Sequence, residues 1–576
     1  MSHNEFIEEL TKNCDDIQGN VLAEILSQNG ETEYLKRHGL SNGCIDRETF
    51  KSKVPVVTYE DIRPDMDRIC NGDTSPILCA EPIIELWLSS GTSGGQQKFI
   101  PATDSEIQRR CELPRAVLPF INERINELDT ERGKILTMQS TRFETVTPGG
   151  LKARPCLTSL LKHPNFYNDK PYPFNTKTSP IEAIHCPDTF QSMYTQLLCG
   201  LYQRLDVTRI QMLCASNLIW AIRFLEHHYS ELCHDISTGT LSPKITDPSL
   251  RACILNTFMD HPDTELSDFI KRECSSRDWA GILKRIWPKT KLVETAVTGS
   301  MAPYIPILNH YSGGLPLASV RYASSECDLG FNLNPICDPY DVSYTFMPNT
   351  GFFEFIPLND DTVGPNVETV DLANVVVGQE YEVVVTTYNG LYRYRLGDVL
   401  RATGFYNSTP QFMIMHRANV VLGVDIEKTT ETELQEAITK ASEILKPFDT
   451  LIVDYTSNSN VNKLPGHYVI YLELMSNNEK ENGVGPQVLE QCCLAMENAL
   501  GSVYRVARCD EFIGPLEIRV VSYGTFEKLK DYAISKGACM NQFKMPRCVK
   551  LVSMLELLDS IVVSAHFSPS APQRPI

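Results

Sequence analysis

The apolar residues of this chain change their spacing along its length, and the changes mark its elements. Between residues 5 and 28, Ile7, Leu10, Ile17, Val21, Leu22, Ile25 and Leu26 recur on one helical face, which predicts a single amphipathic helix. Residues 55–67 read as a strand or turn entering a short helix, and the run Ile83-Ile84-Glu85-Leu86-Trp87-Leu88 reads as a strand. A helix is expected over 104–123, kinked or split by Pro114 and Pro119. A short strand at 135–139 leads to a turn at 147–150, and 216–231 is a helix with Leu218, Ile219, Ile222 and Leu225 on one side. From about 293 to 414 the period is that of strands. There Tyr388-Asn389-Gly390-Leu391 predicts a hairpin, because Asn-Gly supplies the two positive-φ residues of a type I′ turn. Past Val424 the texture changes again. Thr430-Glu431-Thr432-Glu433 is a capping box opening a helix with Leu434, Ala437, Ile438, Ala441 and Leu445 on its face. Strands at 467–474 and 516–521 and a helix at 526–536, closed by Gly537, complete an α+β unit whose boundary falls near 424–428.

The strand at 83–88 breaks into Ser89-Ser90-Gly91-Thr92-Ser93-Gly94-Gly95-Gln96-Gln97-Lys98. Glycines able to take positive φ let successive N–H groups converge on one point, while four hydroxyls and a lysine add donors and charge. That chemistry suits a polyphosphate. It is not a Walker A loop, which needs Gly-Lys-Ser/Thr ahead of a helix. The plainer alternative is a solvated Ser/Gly turn, which the apolar flanks and the basic end disfavour.

Length and composition narrow the class. At 576 residues, 42% of them hydrophobic and 22% charged, the chain is globular and too long for one core. A net charge of −19 argues against nucleic acid and anionic membrane as partners for the surface as a whole. Nineteen cysteines include no Cys-x-x-Cys and no zinc spacing, so reduced thiols are expected. The start of the chain lacks a secretory pattern, and no apolar run would span a bilayer, so a cytoplasmic, soluble monomer is expected.

Two further stretches place an acid at a strand end beside small residues: Tyr322-Ala323-Ser324-Ser325-Glu326 and Tyr392-Arg393-Tyr394-Arg395-Leu396-Gly397-Asp398. Such carboxylates grip ribose hydroxyls or Mg²⁺, or simply cap a turn. In this order, with the hydroxyl-rich stretch before them, the motifs resemble those of the adenylate-forming enzymes. Within that superfamily they look like the plant Gretchen Hagen acyl acid–amido synthetases. The resemblance runs over essentially the whole chain, including Gln542-Phe543-Lys544-Met545-Pro546-Arg547. It implies an α/β fold: a large N-terminal domain over 1–424 with β-sheets, helices and a β-barrel-like part, and a smaller, mobile α+β domain over 425–576.

The resemblance also implies a two-step ligase. ATP, with Mg²⁺, adenylates a small carboxylic acid of auxin, jasmonate or benzoate type, and an amino acid then takes the acyl group as an amide. Ser89, Ser90, Gly91, Thr92 and Ser93, with Lys98, would hold phosphates. Tyr322, Ala323, Ser324 and Ser325 would line the nucleotide pocket, Glu326 would be the metal carboxylate, Tyr344 would pack on the base, and Asp398 would bind the ribose. Lys428 and Lys544 are the candidate mobile cations, with Lys544 the one that reaches the α-phosphate. The family pattern has glycine where Ala323 stands, which would cost about 1 kcal/mol if positive φ were required. The helix after the first motif carries Arg109, Arg110 and Arg115, but the carboxylate-contacting arginine of benzoate-type relatives corresponds to Val117. Leu113, Val117, Leu218 and Trp220, with Phe143, are candidates for an acyl pocket or for core. Thr158, Ser159 and Phe526 are candidates for the amino-acid site. A thioester-forming acyl-CoA ligase and an inactive acid-binding protein remain the alternatives. An esterase is disfavoured by the lack of a Gly-x-Ser-x-Gly elbow.

Overall fold

The helix expected over 5–28 is two helices in the computed structural model: α1, His3–Lys12, and α2, Cys14–Asn29. Asn13 departs from helical geometry between them (φ −121°), and the Cys14 amide donates to Ser408 Oγ at 3.1 Å. A tertiary contact thus interrupts a run whose apolar spacing continues unbroken. The structure describes residues 3–40, 46–93, 96–126, 133–141, 144–164, 177–276, 278–358, 368–417, 422–424, 427, 429–460, 465–476, 484–509, 513–536, 543–549 and 551–574, without the side chains of 89–93, 96–97, 300, 303 and 416–417. It forms two compact units. The first comprises Met1–Ser276, Gly281–Thr298 and Ser312–Met415, and the second Arg277–Ala280, Gly299–Tyr311 and His416–Ile576.

In the first unit, α3 (Tyr59–Cys70) begins at a capping box in which the Asp61 carboxylate accepts from the Thr58 amide at 2.7 Å. It leads to β1 (Glu85–Ser93), which pairs antiparallel with β2 (Gln96–Ala102). Helix α4 then runs Asp104–Asn126 without a break at Pro114 or Pro119. Its buried face, from Ile107 through Leu113, Val117, Phe120 and Ile121 to Ile125, holds it together where propensity alone would have split it. Strand β3 (Lys134–Thr137) belongs to a second sheet, while β4 (Thr145–Val146) and β5 (Lys152–Pro155) complete the first in the order β2-β1-β5-β4.

Helices α5 (Cys156–Lys162) and α6 (Thr189–Tyr202) precede β6 (Val207–Cys214), and α7 (Ala215–Thr238) precedes β7 (Leu292–Ala296). With β8 (Leu317–Ala318) these strands form a parallel sheet, β3-β6-β7-β8, as expected where helices alternate with strands.

The β-barrel-like part expected from the sequence is an eight-stranded, largely antiparallel sheet. Its strands are β9 (Arg321–Ala323), β10 (Asp328–Phe331), β11 (Tyr344–Phe346), β12 (Phe352–Pro357), β13 (Val370–Asp371), β14 (Glu380–Thr386), β15 (Tyr394–Tyr406) and β16 (Thr409–Arg417). They lie in the order β13-β12-β14-β15-β16-β11-β10-β9. The hairpin at Asn389-Gly390 exists, but its turn is not type I′. Gly390 has φ +99° while Asn389 does not enter the positive region, and the next positive φ falls on Arg393 (+45°). Asn389 is instead held by its side chain, which donates to the Pro101 carbonyl at 2.5 Å and accepts from Thr387 Oγ1 at 2.6 Å. A Cβ on Gly390 would sit 2.5 Å from the Leu78 carbonyl oxygen, so glycine is also required for close approach. The second strand accordingly starts at Tyr394 and not at Leu391.

The second unit carries the sheet β17 (Thr450–Asn460), β18 (His467–Ser476), β19 (Glu517–Val521) and β20 (Val562–Phe567), in that order. Helix α8 (Glu431–Leu445) opens on the expected capping box, with the Glu433 carboxylate accepting from the Thr430 amide at 2.7 Å. Its apolar face packs with α9 (Pro486–Ala499) over Tyr468, Ile470 and Leu472. Helix α10 (Thr525–Ser535) lies in a second cluster with Val469, Tyr471 and Val521. The segment Gly299–Tyr311 joins this unit through Tyr304, whose hydroxyl donates to Asp454 Oδ2 at 2.7 Å. Arg547, beneath that ring, donates to Asp454 Oδ1 and the Tyr455 carbonyl, each at 2.7 Å. Every described cysteine is a free thiol, and among the described residues no helix is long and apolar enough to cross a membrane.

One buried charge in this unit predicts an acid response. Burial opposes ionisation of Glu517, yet His467 at 2.9 Å and Arg519 at 2.9 Å pull its carboxyl from the ordinary 4.5 down to about 2. A depressed carboxylate stabilises the fold above its unfolded pKa and loses that contribution as pH falls through the folded one. The pair of values corresponds to about 3 kcal/mol. Glu517→Gln is therefore expected to flatten the fall in unfolding free energy between about pH 5 and about pH 2. Denaturant titrations at several pH values measure that slope, and an unchanged slope would refute the assignment.

Candidate active site

Strand β1 brings the first motif into the core before releasing it. Trp87 is fully buried and donates from Nε1 to Glu85 Oε1 at 2.8 Å, while Arg154 Nε donates to Glu85 Oε2 at 2.8 Å. Beyond Leu88 the backbone of Ser89, Ser90, Gly91, Thr92 and Ser93 continues as strand, where an open loop was expected. Pairing resumes at Thr92 with Gln97 after an irregularity in register. Gly94, Gly95 and the five side chains from Ser89 to Ser93 lie outside the described residues. Lys98, on β2, is half-buried, with Nζ 3.5 Å from the Tyr394 hydroxyl and 5.6 Å from the centre of the Tyr59 ring.

The second and third motifs meet. The Tyr322 hydroxyl donates to Asp398 Oδ2 at 2.6 Å, across 76 residues of sequence, with both side chains buried. The Tyr322 ring lies 5.6 Å from that of Tyr344, whose hydroxyl hydrogen-bonds with Ser319 Oγ at 2.7 Å and Thr298 Oγ1 at 3.0 Å. Burial raises the Tyr344 phenol above its ordinary range, which keeps it neutral. Ala323 ends β9 with negative φ: among the described residues positive φ outside glycine occurs at Arg393, Asn407 and Asp449. The methyl group therefore carries no backbone strain.

Ser324 and Cys327 close a tight turn, Ser324 N donating to the Cys327 carbonyl at 2.9 Å, and Ser325 Oγ reaches the Leu88 carbonyl at 3.5 Å. This last contact joins the turn to β1 just where the strand's register becomes irregular. Glu326 within the turn is buried, 6% exposed, and no described residue donates a hydrogen bond to it. No cluster of three acidic, His or Cys ligands occurs among the described residues. A lone protein carboxylate is a donor set of the kind Mg²⁺ accepts, since that ion takes one or two carboxylates and completes its shell with phosphate and water oxygens.

Most of the third motif is scaffold. The Tyr392 hydroxyl donates to the Leu78 carbonyl at 2.7 Å, and Arg395 pairs with Glu382. Arg393 is buried against Glu354, with Nε at 3.0 Å and NH2 at 2.8 Å, and its NH1 donates to the Lys51 and Val54 carbonyls at 2.7 Å. Beyond the alternation of Tyr and Arg, nothing local along the chain points to these partners. Arg110 on α4 was likewise visible only as one of three arginines. Its Nε donates to Glu106 at 2.8 Å, NH1 to the Ser324 carbonyl at 2.6 Å and NH2 to the Ser325 carbonyl at 3.0 Å, and the guanidinium lies 4.6 Å from the Trp87 ring.

Leu113 and Val117 pack with Ile7, Leu10, Leu292 and Phe331 in one core cluster. Leu218 on α7 lines a small apolar cavity with Leu136, Leu197, Ile210 and Trp287. Trp220 is half-buried beside Phe224, ring centres 5.5 Å apart. Thr158 and Ser159 are buried on α5, and Ser159 Oγ has no hydrogen-bond partner among the described residues. Phe526 is part of the second unit's core. Lys544 is exposed in that unit, three residues before Arg547, and Lys428 and Phe143 lie outside the described residues.

The chain matches family models described as the GH3 family N-terminal domain over residues 3–317, the central domain over 344–417 and the C-terminal domain over 432–552. It is 52% identical, over 98% of its length and 94% of the relative's, to the probable indole-3-acetic acid-amido synthetase GH3.1 of Arabidopsis thaliana. It is also 52% identical to the indole-3-acetic acid-amido synthetase GH3.8 of Oryza sativa subsp. indica, over 98% and 93%. A solved GH3.15 acyl acid amido synthetase superposes with a TM-score of 0.92 at 44% identity, covering 99% of this chain and 98% of that one. Another solved structure, AtGH3.15 acyl acid amido synthetase in complex with 2,4-DB, gives 0.91 at 44% identity over 100% and 98%. Fold and relatives define the class, a carbon–nitrogen ligase of the acid–amido synthetase type. The chain belongs to the GH3 family.

Tyr322→Phe keeps the ring and removes the donor to Asp398. It is expected to lower stability by about 1–2 kcal/mol, measured as a reduced thermal or denaturant midpoint. A variant as stable as the parent would mean that this hydrogen bond is not what joins the two motifs.

Proposed function

We propose that the protein adenylates a small carboxylic acid with ATP and passes the acyl group to the amine of an amino acid, releasing AMP. The observation that carries this reading is the meeting of Tyr322 and Asp398, which unites two motifs that lie far apart in sequence. An acid on β15 whose tyrosine partner lies beside Tyr344 and a serine turn is suited to a nucleoside: Asp398 accepts from ribose hydroxyls while Tyr322 holds one of its oxygens. Attack of a carboxylate on the α-phosphate brings two anions together, so positioning and charge neutralisation dominate the barrier. Lys98, half-buried on β2, supplies one positive charge, and Ser89, Ser90, Gly91, Thr92 and Ser93 supply phosphate donors. Lys544 supplies the charge that offsets the α-phosphate during adenylation. Mg²⁺, when bound, would be held by Glu326 together with phosphate oxygens and would neutralise the polyphosphate.

The names of the relatives make an indolic, auxin-type acid the first candidate, ahead of jasmonate- and benzoate-type acids. Among the apolar candidates, Leu218 on its small cavity is better supported as acyl-site wall than Leu113 or Val117, which are fully engaged in core. Trp220 remains a second candidate wall, and Thr158 and Ser159 the acceptor-side hydroxyls, the unpartnered Ser159 Oγ favouring them over Phe526. Lys428 is proposed as a second cation of the phosphate site. The enzyme is read as a cytoplasmic monomer.

Acid-dependent exchange of pyrophosphate into ATP tests the first half-reaction, using indole-3-acetic, jasmonic and benzoic acids. Addition of amino acids then tests the second. Lys544→Ala is expected to slow exchange by about 100-fold or more with ATP binding kept, since a single preorganised charge is worth that much. Unchanged exchange would remove Lys544 from the reaction. Glu326→Gln is expected to raise the Mg²⁺ concentration needed for half-maximal exchange. Normal turnover at limiting Mg²⁺ would exclude Glu326 as a ligand.

A further inference from the structure

Arg110 has no role in the reading above, yet it is a buried cation bonded directly to the turn that bears Glu326. The side chain is 3% exposed on a helix that contributes no other group to the nucleotide motifs. Its donors go to three places at once: the Glu106 carboxylate one turn back, and the consecutive peptide carbonyls of Ser324 and Ser325. Its face lies against Trp87, and NH1 is also 3.7 Å from Cys156 Sγ. Burial pushes the Cys156 thiol up to about 11, so this neighbour stays neutral and leaves Glu106 as the counter-charge. Burial also pushes the Glu106 carboxyl up, and the guanidinium opposes that push.

A planar fork that spans two successive carbonyls fixes the plane of the peptides between them in a way a single ammonium cannot. The residue following those carbonyls is Glu326, and Ser325 Oγ touches the Leu88 carbonyl within β1, where its register turns irregular. One side chain therefore sets the geometry between the strand that leads to the hydroxyl-rich motif and the turn that bears the acid.

We propose that Arg110 is a positioning residue for adenylation, holding the Ser324–Ser325 backbone so that Glu326 keeps a fixed direction toward the nucleotide. This rests on the nucleotide reading of residues 322–326 given above.

The test uses the full-length enzyme and the acid among indole-3-acetic, jasmonic and benzoic acids that supports the fastest pyrophosphate exchange. Arg110→Lys keeps charge and loses the fork. A double variant, Arg110→Met with Glu106→Gln, removes both buried charges and so avoids leaving a lone carboxylate. With thermal midpoints confirming folding, both are expected to lower kcat for exchange by about 10-fold to 100-fold, the range of a displacement near 1 Å. The lysine variant should retain more activity than the double variant. KM for the acid should stay within about twofold, while the Mg²⁺ requirement rises as it does in Glu326→Gln, because the defect lies in placement. Unchanged kcat in a folded Arg110→Lys enzyme, or a change confined to the acid KM, overturns the proposal. So does failure of both variants to fold, which would make the role purely structural. Glu326→Gln separates the two levels: if it behaves normally, the metal reading of that motif fails, and if it is impaired while the Arg110 variants are normal, only the present proposal fails.

Discussion

A guanidinium withdrawn from water must have its donors met, because an uncompensated buried charge destabilises a fold by several kcal/mol. The first unit contains two such groups close to its site, Arg110 and Arg393. Each is matched by one carboxylate and by backbone carbonyls from a distant stretch of chain. The requirement works in both directions: the cations can be buried only if those carbonyls are in place, and the carbonyls are held in place by the cations. Arg393 even takes φ +45°, a conformation that is unfavourable by about 1–2 kcal/mol for a residue with a Cβ. Five guanidinium hydrogen bonds, to Glu354, Thr369 and the Lys51 and Val54 carbonyls, over-determine it.

This division explains how a seven-residue motif can look uniform in sequence and be heterogeneous in role. Tyr392, Arg393 and Arg395 hold backbone and neighbouring acids, whereas Asp398 at the far end meets Tyr322. The strand pairing of β14 with β15 then carries Asp398 to a fixed place. The turn that delivers the strand is shaped by Leu78 and Pro101, neither of which is near it in sequence.

Legibility followed the range of the interaction. The capping boxes at Thr58 and Thr430 depend on residues three apart, and only the second was read from sequence. The acids Glu326 and Asp398 stood out from local composition, but neither is at a strand end: Asp398 lies within β15 and Glu326 in the turn before β10. The break at Asn13, the intact passage of α4 through two prolines and the true turn at Asn389 were not legible, because Ser408, a buried helix face and Pro101 decide them. Arg110 belongs to the same class. In sequence it is one basic residue on an amphipathic helix, and what distinguishes it is the identity of carbonyls more than two hundred positions away. Leu113 and Val117 pack in a core cluster, and an apolar residue reads alike whether it lines a ligand site or fills a core.

The second unit is not one uninterrupted length of polypeptide. Gly299–Tyr311 belongs to it, and Tyr304 from that insert caps an ion pair made by Asp454 and Arg547. Severing the backbone after Met415 would thus yield a fragment missing an aromatic lid over its own buried arginine. Circular permutants or fusions that treat the C-terminal portion as a free-standing cassette would have to graft that short excursion back, or replace the arginine along with it.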